Sequence, residues 1–332
     1  AFSRSRVGVY FLLSPILLFS SAMISHLDLF SVVLLLLGIR ALFRKKYPLA
    51  ILFFACACAF KPFVLLSIAP ILLLREKRIH ILLLSFAGVV AGVLPQALLY
   101  GRDPGYREMK AFFSEKFFFM QRFFAAGVPF ERNFFAGTGS YFVILFFVIC
   151  LMAYLDNGKH AAKYFAFPCY VWLSFFAFVQ WHPNWILHLA PFLVLLLPYM
   201  GDLMVWSILQ TAFSGAYMLI STIAWAGYYD VTMVNYGLLE GVLPHPIEEN
   251  SPLLPANMLS GLLPGMPITD ILASVGLGVA AVLALYIYHE TKAAPVRRRQ
   301  ESAALTAGYV LIYVLPIVAF AGYAVVCGFV GG

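Results

Sequence analysis

The chain has 332 residues, of which 63% are hydrophobic and only 11% are charged. No soluble domain of this size would stay in water with that balance, so the composition excludes a soluble fold and predicts a polytopic membrane protein. Apolar runs near the ~20 residues that a membrane helix requires recur along the chain. We therefore expect an all-α transmembrane helical bundle of about 9–11 membrane segments, some short or re-entrant, in a single domain over 1–332.

The formal charge of +7 does not indicate nucleic-acid binding. The basic residues form short clusters between apolar runs, where they orient helices by the positive-inside bias. Of the 22 Lys and Arg residues, 15 fall on one predicted side, and the others are Lys61 and six in the segment 101–139. The five cysteines lie in or beside apolar segments, which argues against a disulfide framework and against a metal site.

The first part of the chain predicts two helical hairpins of similar plan. Each has an outgoing apolar arm, a polar turn on the outer side and a returning arm that ends in a basic cluster. The polar turns are 25–28 and 61–62, and the basic clusters are 44–46 and 75–78. Because each arm is short for a full span, we expect tilted or partly re-entrant helices whose broken backbone is covered by protein.

A cleaner span from Ile79 to Tyr100 leads outward to the segment 101–139. Its centre, from Met109 to Ala126, mixes phenylalanines with charged residues, which predicts an amphipathic helix lying in the membrane interface. The segment is expected to be an extracytoplasmic loop that borders a lipid-facing groove.

Alternation of the spans then places the segment 180–185 on the outer side. Tyr164 to Val179 runs outward to it, and Ile186 to Tyr199 runs inward from it. The later segment 229–270 carries six prolines, the acidic residues Asp230, Glu240, Glu248 and Glu249, and no Lys or Arg, as an extracytoplasmic loop allows.

This topology brings three polar interruptions to one membrane surface. They contain His26, Asp28, Lys61, Gln180, His182 and Asn184. Ionisable groups at membrane depth are costly, and by default they mark a functional site that faces a protein-lined or watery cavity. A lysine, histidines, a carboxylate and amides match a site that holds a phosphate group and moves a proton.

Three of these residues, and the two tryptophans beside them, also have a purely structural explanation. Lys61 fits a lysine that snorkels to the headgroups from a helix end. Asp28 fits the N-cap of the helix that follows it, and the two roles can coexist. His182 fits a satisfied buried histidine, while Trp181 and Trp185 fit an aromatic belt.

Three further residues join the list of candidates. Arg102 and Arg107 fit binding of lipid headgroups, and a phosphate-bearing lipid substrate would use the same side chains. His188 lies one turn beyond Asn184 and is expected on the same face of its helix.

Several stretches occur in an order that resembles a known family. They are Leu13-Ser14-Pro15, the polar stretch 25–29 with an apolar run ending at 44–46, the segment from Ala50 to Lys61-Pro62, Pro70 to Arg75, and 180–185 followed by Leu187 to Pro198. The order is similar to that of the polyprenyl-phosphate-sugar-dependent glycosyltransferases of the GT-C superfamily. The likeness covers about residues 10–200 and is strongest to the bacterial mannosyltransferase-like branch and the GPI-anchor mannosyltransferases.

The resemblance implies an inverting transfer of a sugar from a polyprenyl-phosphate-linked donor to a glycan, glycolipid or protein acceptor. The site would face the extracytoplasmic or lumenal side of a multi-pass protein in a bacterial or archaeal cytoplasmic membrane, or in the ER. It implies these roles: Asp28 and His26 catalytic; Lys61, His182, Arg102 and Arg107 binding the phosphate; Gln180, Asn184, Trp181 and His188 lining the substrate site. No cofactor is expected, although weak binding of a divalent cation by acidic loop residues stays open.

The sequence departs from this family in one respect. Such enzymes usually carry the acidic base in a large extracytoplasmic loop after their first helix, and no such loop precedes Val7. Either an N-terminal part is missing, or a partner membrane subunit supplies it, or the base is Asp28 or a loop carboxylate. The loop carboxylates are Asp103, Glu108, Glu115 and Glu131.

Two other functional classes stay open. One is a transporter or flippase of a lipid-linked saccharide, and the other is a non-catalytic subunit of a membrane glycosylation complex. Transporters often repeat a pattern of broken helices with polar residues near the membrane midplane. Here the two hairpins are only weakly alike and the polar residues lie at one surface, which favours an enzyme.

Overall fold

The computed structural model describes residues 4–23, 28–117, 126–132, 135–179, 181–224, 255–263, 265–292 and 303–330. The protein is mostly helical, at 84%, which confirms the all-α class at that level. His26 and Gln180, most of the Pro-rich segment 229–270, and the second half of the predicted interfacial helix lie outside the described residues.

The helices are numbered here in chain order. The first eight are α1 (Arg4–Leu12), α2 (Pro15–Leu17), α3 (Asp28–Phe43), α4 (Tyr47–Phe60), α5 (Leu65–Arg75), α6 (Ile79–Val90), α7 (Leu94–Tyr100) and α8 (Pro104–Phe117). The later ones are α9 (Tyr141–Leu155), α10 (Lys163–Phe178), α11 (Ala190–Leu196), α12 (Leu203–Ala224), α13 (Pro255–Leu262), α14 (Ile268–Lys292) and α15 (Ala303–Val330). A π-helical turn, Leu18–Met23, and 3₁₀ turns at Pro62–Val64, Ala91–Val93, Pro183–His188 and Leu197–Tyr199 complete the helical elements.

An antiparallel hairpin interrupts the helices of the described chain. Strand β1 (Gly127–Arg132) pairs with β2 (Phe135–Ser140) inside the segment 101–139, for which the sequence predicts no strand. The close backbone approach needs glycine at one position, because a Cβ on Gly127 would lie 2.4 Å from the carbonyl oxygen of Gly139. The interfacial helix predicted for Met109 to Ala126 corresponds to α8, which begins earlier.

The expected span from Ile186 to Tyr199 is not one continuous helix. It is divided among the 3₁₀ turn Pro183–His188, the short α11 and the 3₁₀ turn Leu197–Tyr199. Proline supplies the reason, because it has no N–H and favours the first residues of a helical segment over its interior. Pro183 and Pro198 each occupy such a first position.

The chain divides into two compact units. One consists of 1–26 and 193–332, and the other of 27–192. In the first unit, α12 packs against α14 and α15. The N–H of Gly201 donates to the carboxylate of Glu290 in α14, and the Thr211 hydroxyl donates to the carbonyl of Ile312 in α15 at 2.7 Å. The expectation of a single membrane domain stays a prediction.

The second unit, 27–192, is organised around an α3–α4 hairpin. Lys45 in its basic turn has φ 59, a left-handed conformation that reverses the chain between the two helices. Gly38 admits the Phe54 ring, since a Cβ at Gly38 would lie 2.4 Å from that ring. Nearer the other end of the hairpin, the rings of Phe30 and Phe60 stack with centroids 6.2 Å apart.

Helices α5, α9 and α10 pack together in the same unit. At their core the indole N–H of Trp172 donates to the Ser67 hydroxyl at 2.7 Å. At one end the Lys77 ammonium donates to the terminal carbonyls of two helices, Leu73 at 2.7 Å and Ala153 at 3.0 Å. A cation placed there satisfies carbonyl groups that a helix end leaves without partners.

Three helical stretches among the described residues are long and apolar enough to cross a membrane. They are Ile79–Tyr100, Leu203–Ile223 and Ile268–Lys292. Shorter apolar helices of 10–17 residues are Gly8–Ser20, Tyr47–Phe60, Pro62–Arg75, Tyr141–Leu155, Pro183–Tyr199 and Gly308–Ala319. The long helices support a transmembrane protein. The full set of 9–11 segments stays a prediction, because the shorter helices fall below ~20 residues.

Candidate functional site

The centre of the candidate site is an ion pair between Asp28 and Lys61. The Lys61 ammonium lies 2.9 Å from one carboxylate oxygen of Asp28, and the side chains are 24% and 6% exposed, respectively. Removing two charges from water costs several kcal/mol per ion, and close pairing offsets part of that cost. The sequence proposes these two residues for one site, and the structure places them in direct contact.

Local sequence explains why both charges occur at helix ends. Asp28 is the first residue of α3, and its carbonyl accepts a 2.7 Å hydrogen bond from the Ser31 hydroxyl. Lys61 ends α4 because Pro62 has no N–H and disfavours a helical residue before it. Lys61 accordingly has an extended backbone, with φ −150 and ψ 106.

The α3–α4 hairpin brings the two helix ends together. Contacts of Gly38 with Phe54 and of Phe30 with Phe60 show an antiparallel register in which the start of α3 faces the end of α4. Asp28 and Lys61 lie nearly the same number of residues from the Lys45 turn. Their meeting therefore follows from the equal lengths of the two arms.

A second polar pair lies in the segment that follows α10. The imidazole Nδ1 of His182 contacts the amide oxygen of Asn184 in a short hydrogen bond. His182 is half-buried, whereas Asn184 is only 2% exposed. Pro183 starts a 3₁₀ turn between them, which directs both side chains to the same place. The contact fixes the orientation of the imidazole.

Aromatic packing connects this segment to the ion pair. The Phe63 ring, which follows Lys61-Pro62, lies 4.6 Å between centroids from the Trp185 ring. The turn Pro183–His188 also packs against α3, the helix that begins with Asp28. Lys61, Asp28, His182 and Asn184 therefore belong to neighbouring elements at one end of the second unit.

His188 lies behind this surface. It is completely buried, and its ring stacks on Trp172 with centroids 5.2 Å apart and planes 14° apart. Trp172 in turn is held by its hydrogen bond to Ser67. His188 therefore has no accessible surface with which to line a substrate site in the described structure. Its ring instead links the candidate site to the core.

Trp181 is partly buried and has a local hydrogen bond. Its indole N–H donates to the carbonyl of Phe176 at 3.0 Å, and its ring packs edge-on against the Phe176 ring. This contact secures the segment after α10. It agrees with the structural explanation of Trp181 and leaves its substrate contact as a prediction.

Arg102 and Arg107 lie in a different part of the second unit, at the connection between α7 and α8. Both are exposed, and the Arg107 guanidinium donates to the carbonyl of Gly101 at 2.8 Å. Within the described residues, no ion pair or hydrogen bond joins either arginine to Asp28 or Lys61. Their role in binding phosphate stays a prediction, as do those of His26 and Gln180.

Sequence reasoning did not single out Phe63, whose ring links the Lys61 turn to the aromatic segment. The available signal was its position directly after Lys61-Pro62. The described residues contain no group of three His, Cys, Asp or Glu side chains arranged to hold a metal ion. Weak binding of a divalent cation by acidic loop residues stays a prediction.

A second ion pair, in the connection between α9 and α10, serves as a reference. Lys163 donates to Asp156, and Phe43 at the end of α3 packs against Tyr164, with centroids 5.0 Å apart. Burial would raise the pKa of Asp156, but the hydrogen bonds from Lys163 and from the N–H of Gly158 hold it below its usual value. Helix α3 has 16 residues and is therefore about 24 Å long, with Asp28 as its first residue and Tyr164, the neighbour of Lys163, packed against its last residue, Phe43.

The fold and the site together define a mostly helical protein with candidate membrane-spanning helices and a secluded carboxylate–ammonium pair at a helix hairpin. Comparison of the chain with protein-family models, with curated protein sequences and with solved structures found no match in any of the three.

Proposed function

We propose that the chain is a multi-pass membrane glycosyltransferase of the GT-C type, which moves a sugar from a polyprenyl-phosphate donor to an acceptor hydroxyl on the extracytoplasmic or lumenal side. The observation that carries the proposal is the Asp28–Lys61 ion pair, with its 2.9 Å contact and a nearly buried carboxylate. Ionisable groups kept inside an apolar helical protein are costly and are by default functional.

In the proposed reaction, the donor phosphate binds the Lys61 ammonium in place of Asp28. The incoming phosphate oxygens offer the same charge-assisted contact that the carboxylate makes in the structure described here. The exchange separates the pair only when a phosphate is present. Asp28 then becomes available as a base next to the site where the sugar is held.

At the anomeric carbon the transfer forms one bond and breaks one, and a proton moves from the acceptor to Asp28. The acceptor oxygen bonds to the anomeric carbon as the bond from that carbon to the phosphate oxygen breaks, which inverts the configuration. The acceptor proton passes to the Asp28 carboxylate. Lys61 stabilises the negative charge that grows on the departing polyprenyl phosphate, the kind of electrostatic contribution that is usually largest in catalysis.

The His182–Asn184 pair has a positioning role in this proposal. Its hydrogen bond orients the imidazole, and Trp185 carries the turn against Phe63 beside Lys61. A ring held in one orientation loses little freedom when a substrate hydroxyl or phosphate binds. The exposed Arg102 and Arg107 would act earlier, by attracting the lipid phosphate at the membrane surface.

The test uses the purified full chain in detergent with a polyprenyl-phosphate sugar and candidate acceptors. Polyprenyl phosphate should be released only when an acceptor is present. We expect Asp28→Asn to lower kcat by about 10²–10⁴-fold, the usual contribution of a general base. Lys61→Met should impair donor use by a comparable factor.

The matched controls are Asp156→Asn and Lys163→Met, which break the reference ion pair of the same residue types in the connection between α9 and α10. They should leave kcat within about twofold, since Asp156 and Lys163 lie far from the reacting atoms. Full activity of Asp28→Asn would exclude Asp28 as the base. Movement of an intact lipid-linked saccharide across vesicles, with no bond broken, would identify a transporter instead.

A further inference from the structure

A cavity with both polar and aliphatic lining residues lies in the unit 27–192, where α4 and α6 begin and α3 and α5 end. Its volume is about 250 Å³. It is lined by Leu42, Tyr47, Ile51, Leu72, Arg75, Glu76, Arg78, Ile81 and Ser85. Pockets that enclose a whole drug-sized ligand are larger, roughly 300–1,000 Å³, so this cavity suits a small polar group with an apolar tail left outside.

The cavity has one cationic wall. The Arg75 guanidinium donates to the Tyr47 hydroxyl at 2.9 Å and lies 5.7 Å from the centre of the Tyr47 ring. Arg78 is paired in two-pronged fashion with Glu76, with both contacts at 2.9 Å. Among the described residues, no carboxylate forms an ion pair with Arg75. Two guanidinium groups and one carboxylate leave the cavity with a net positive charge.

The backbone adds to this preference for an anion. Tyr47 is the first residue of α4, and Ile81 lies in the first turn of α6. Neither helix has a side chain that caps its N-terminus. The N-terminus of a helix carries partial positive charge and N–H groups directed at an approaching anion.

The other wall is aliphatic and continues onto an apolar surface. Ile51 and Ile81 line the cavity, and the adjacent Leu52 and Leu84 on the same helices are 56% and 75% exposed. Such leucines on a membrane helix are positioned to meet acyl chains. A ligand that combines a phosphate with acyl chains would satisfy the cationic wall and the aliphatic wall at once.

We propose that this cavity binds the phosphate headgroup of an anionic phospholipid, with Arg75 and the Tyr47 hydroxyl as donors and the acyl chains along α4 and α6. An arginine fits this role because its planar fork of N–H groups contacts two phosphate oxygens together. The cavity lies at the Lys45 end of the hairpin, whereas the Asp28–Lys61 pair lies at the other end. The proposal is therefore independent of sugar transfer.

The experiment measures lipid binding to the purified full chain in detergent by native mass spectrometry. Dioctanoyl phosphatidylglycerol is the probe, and dioctanoyl phosphatidylcholine and inorganic phosphate are the comparison ligands. We expect phosphatidylglycerol to bind at least about tenfold more tightly than either, because the choline cation opposes Arg75 and free phosphate has no acyl chains. Equal binding of phosphatidylcholine, or of inorganic phosphate, would overturn the proposal.

Two variants of cavity residues should change the affinity for phosphatidylglycerol in opposite directions. Arg75→Gln should weaken phosphatidylglycerol binding about tenfold, in line with the loss of one hydrogen bond to a charged group. Glu76→Gln should strengthen it, because Arg78 is released from its carboxylate partner. A gain of affinity cannot come from misfolding, so Glu76→Gln keeps the test decisive even where Arg75→Gln folds poorly.

The matched control is Lys159→Gln, which removes one positive charge from an exposed residue of the same unit outside the cavity. Its affinity for phosphatidylglycerol should stay within about twofold of the unmodified chain. An equal loss in Lys159→Gln and Arg75→Gln would show that only total charge matters. Unchanged binding in both cavity variants would also contradict the proposal.

Discussion

The ion pair between Asp28 and Lys61 is not the pair of side chains that would make the protein most stable. A secluded ion pair seldom stabilises a protein more than apolar side chains of similar volume, because desolvation offsets the attraction between the charges. The Asp28 side chain is only 6% exposed. Retention of a charge there is easier to explain by chemistry at the site than by folding.

We predict strong energetic coupling between the two residues. Lys61→Met removes the Lys61 ammonium from its contact with Asp28, and breaking such a pair costs about 3–5 kcal/mol when it is fully buried. The double variant Asp28→Asn, Lys61→Met should recover part of that loss. Thermal unfolding of the single and double variants in detergent measures the coupling. Additive losses would show that the contact contributes little.

The single and double variants of Asp28 and Lys61 form a double-mutant cycle, and the Asp156–Lys163 pair provides the comparison for it. Its side chains are 19% and 18% exposed, so each charge retains some solvent after its partner is removed. We expect a smaller coupling there. The difference between the two cycles isolates the effect of secluding Asp28, since the residue types are the same.

At the scale of helices, small residues decide which elements can touch. Gly92 lies in the turn between α6 and α7, where a Cβ would be 2.0 Å from the carbonyl oxygen of Ala55 in α4. Backbones approach this closely only where glycine or another small residue removes the side chain. The apolar runs alone do not reveal that contact.

We predict that Gly92→Ala lowers the midpoint of thermal unfolding far more than Gly88→Ala. A methyl group at Gly92 meets backbone atoms of Ala55, whereas one at Gly88 meets only the γ2-methyl group of the Ile51 side chain, at 2.9 Å. A side chain can rotate away, but a helix backbone must shift as a whole. Equal midpoints for the two variants would contradict the close approach.

At the scale of the whole molecule, the basic clusters predict which membrane surface each helix end faces. The proposed arrangement places Lys45 on the cytoplasmic side and Arg102 on the opposite side. The two positions are exposed, and the span Ile79–Tyr100 lies between them in sequence. Whole-molecule topology can therefore be tested at these two residues.

We predict that Lys45→Cys and Arg102→Cys react from opposite sides of the membrane. The five native cysteines are first replaced by alanine, and a membrane-impermeant maleimide is added to intact cells or sealed vesicles. Arg102→Cys should be labelled at once and Lys45→Cys only after the membrane is opened. Labelling of both residues from the same side would reject the proposed topology.

Much of the helical framework was accessible from the sequence. The polar turn at Lys61-Pro62, the basic clusters 44–46 and 75–78 and the apolar arms between them fall where the structure begins and ends α3, α4 and α5. Hydrophobicity and proline act locally, so a single chain displays them. The hairpin Gly127–Arg132 with Phe135–Ser140 was missed, because strand pairing depends on cross-strand partners.

The candidate site was only partly predictable. The residue types and the equal arms of the hairpin favoured a meeting of Asp28 and Lys61, and the 2.9 Å contact agrees with it. His188 shows the limit of such reasoning: helical spacing placed it beside Asn184 on a substrate face, while packing buries it completely under Trp172. Burial depends on every neighbouring helix at once.

By itself, the sequence determined an apolar, mostly helical protein whose helix ends carry sparse and expensive charges. Only the tertiary structure decided that Asp28 and Lys61 form an ion pair, that Phe63 and Trp185 connect it to the His182 turn, and that Arg75 borders a separate cavity. The physical reason is the distance along the chain over which each property acts. Hydrophobicity, charge and proline act within a few residues, whereas an ion pair or a cavity exists only where distant helices pack against each other.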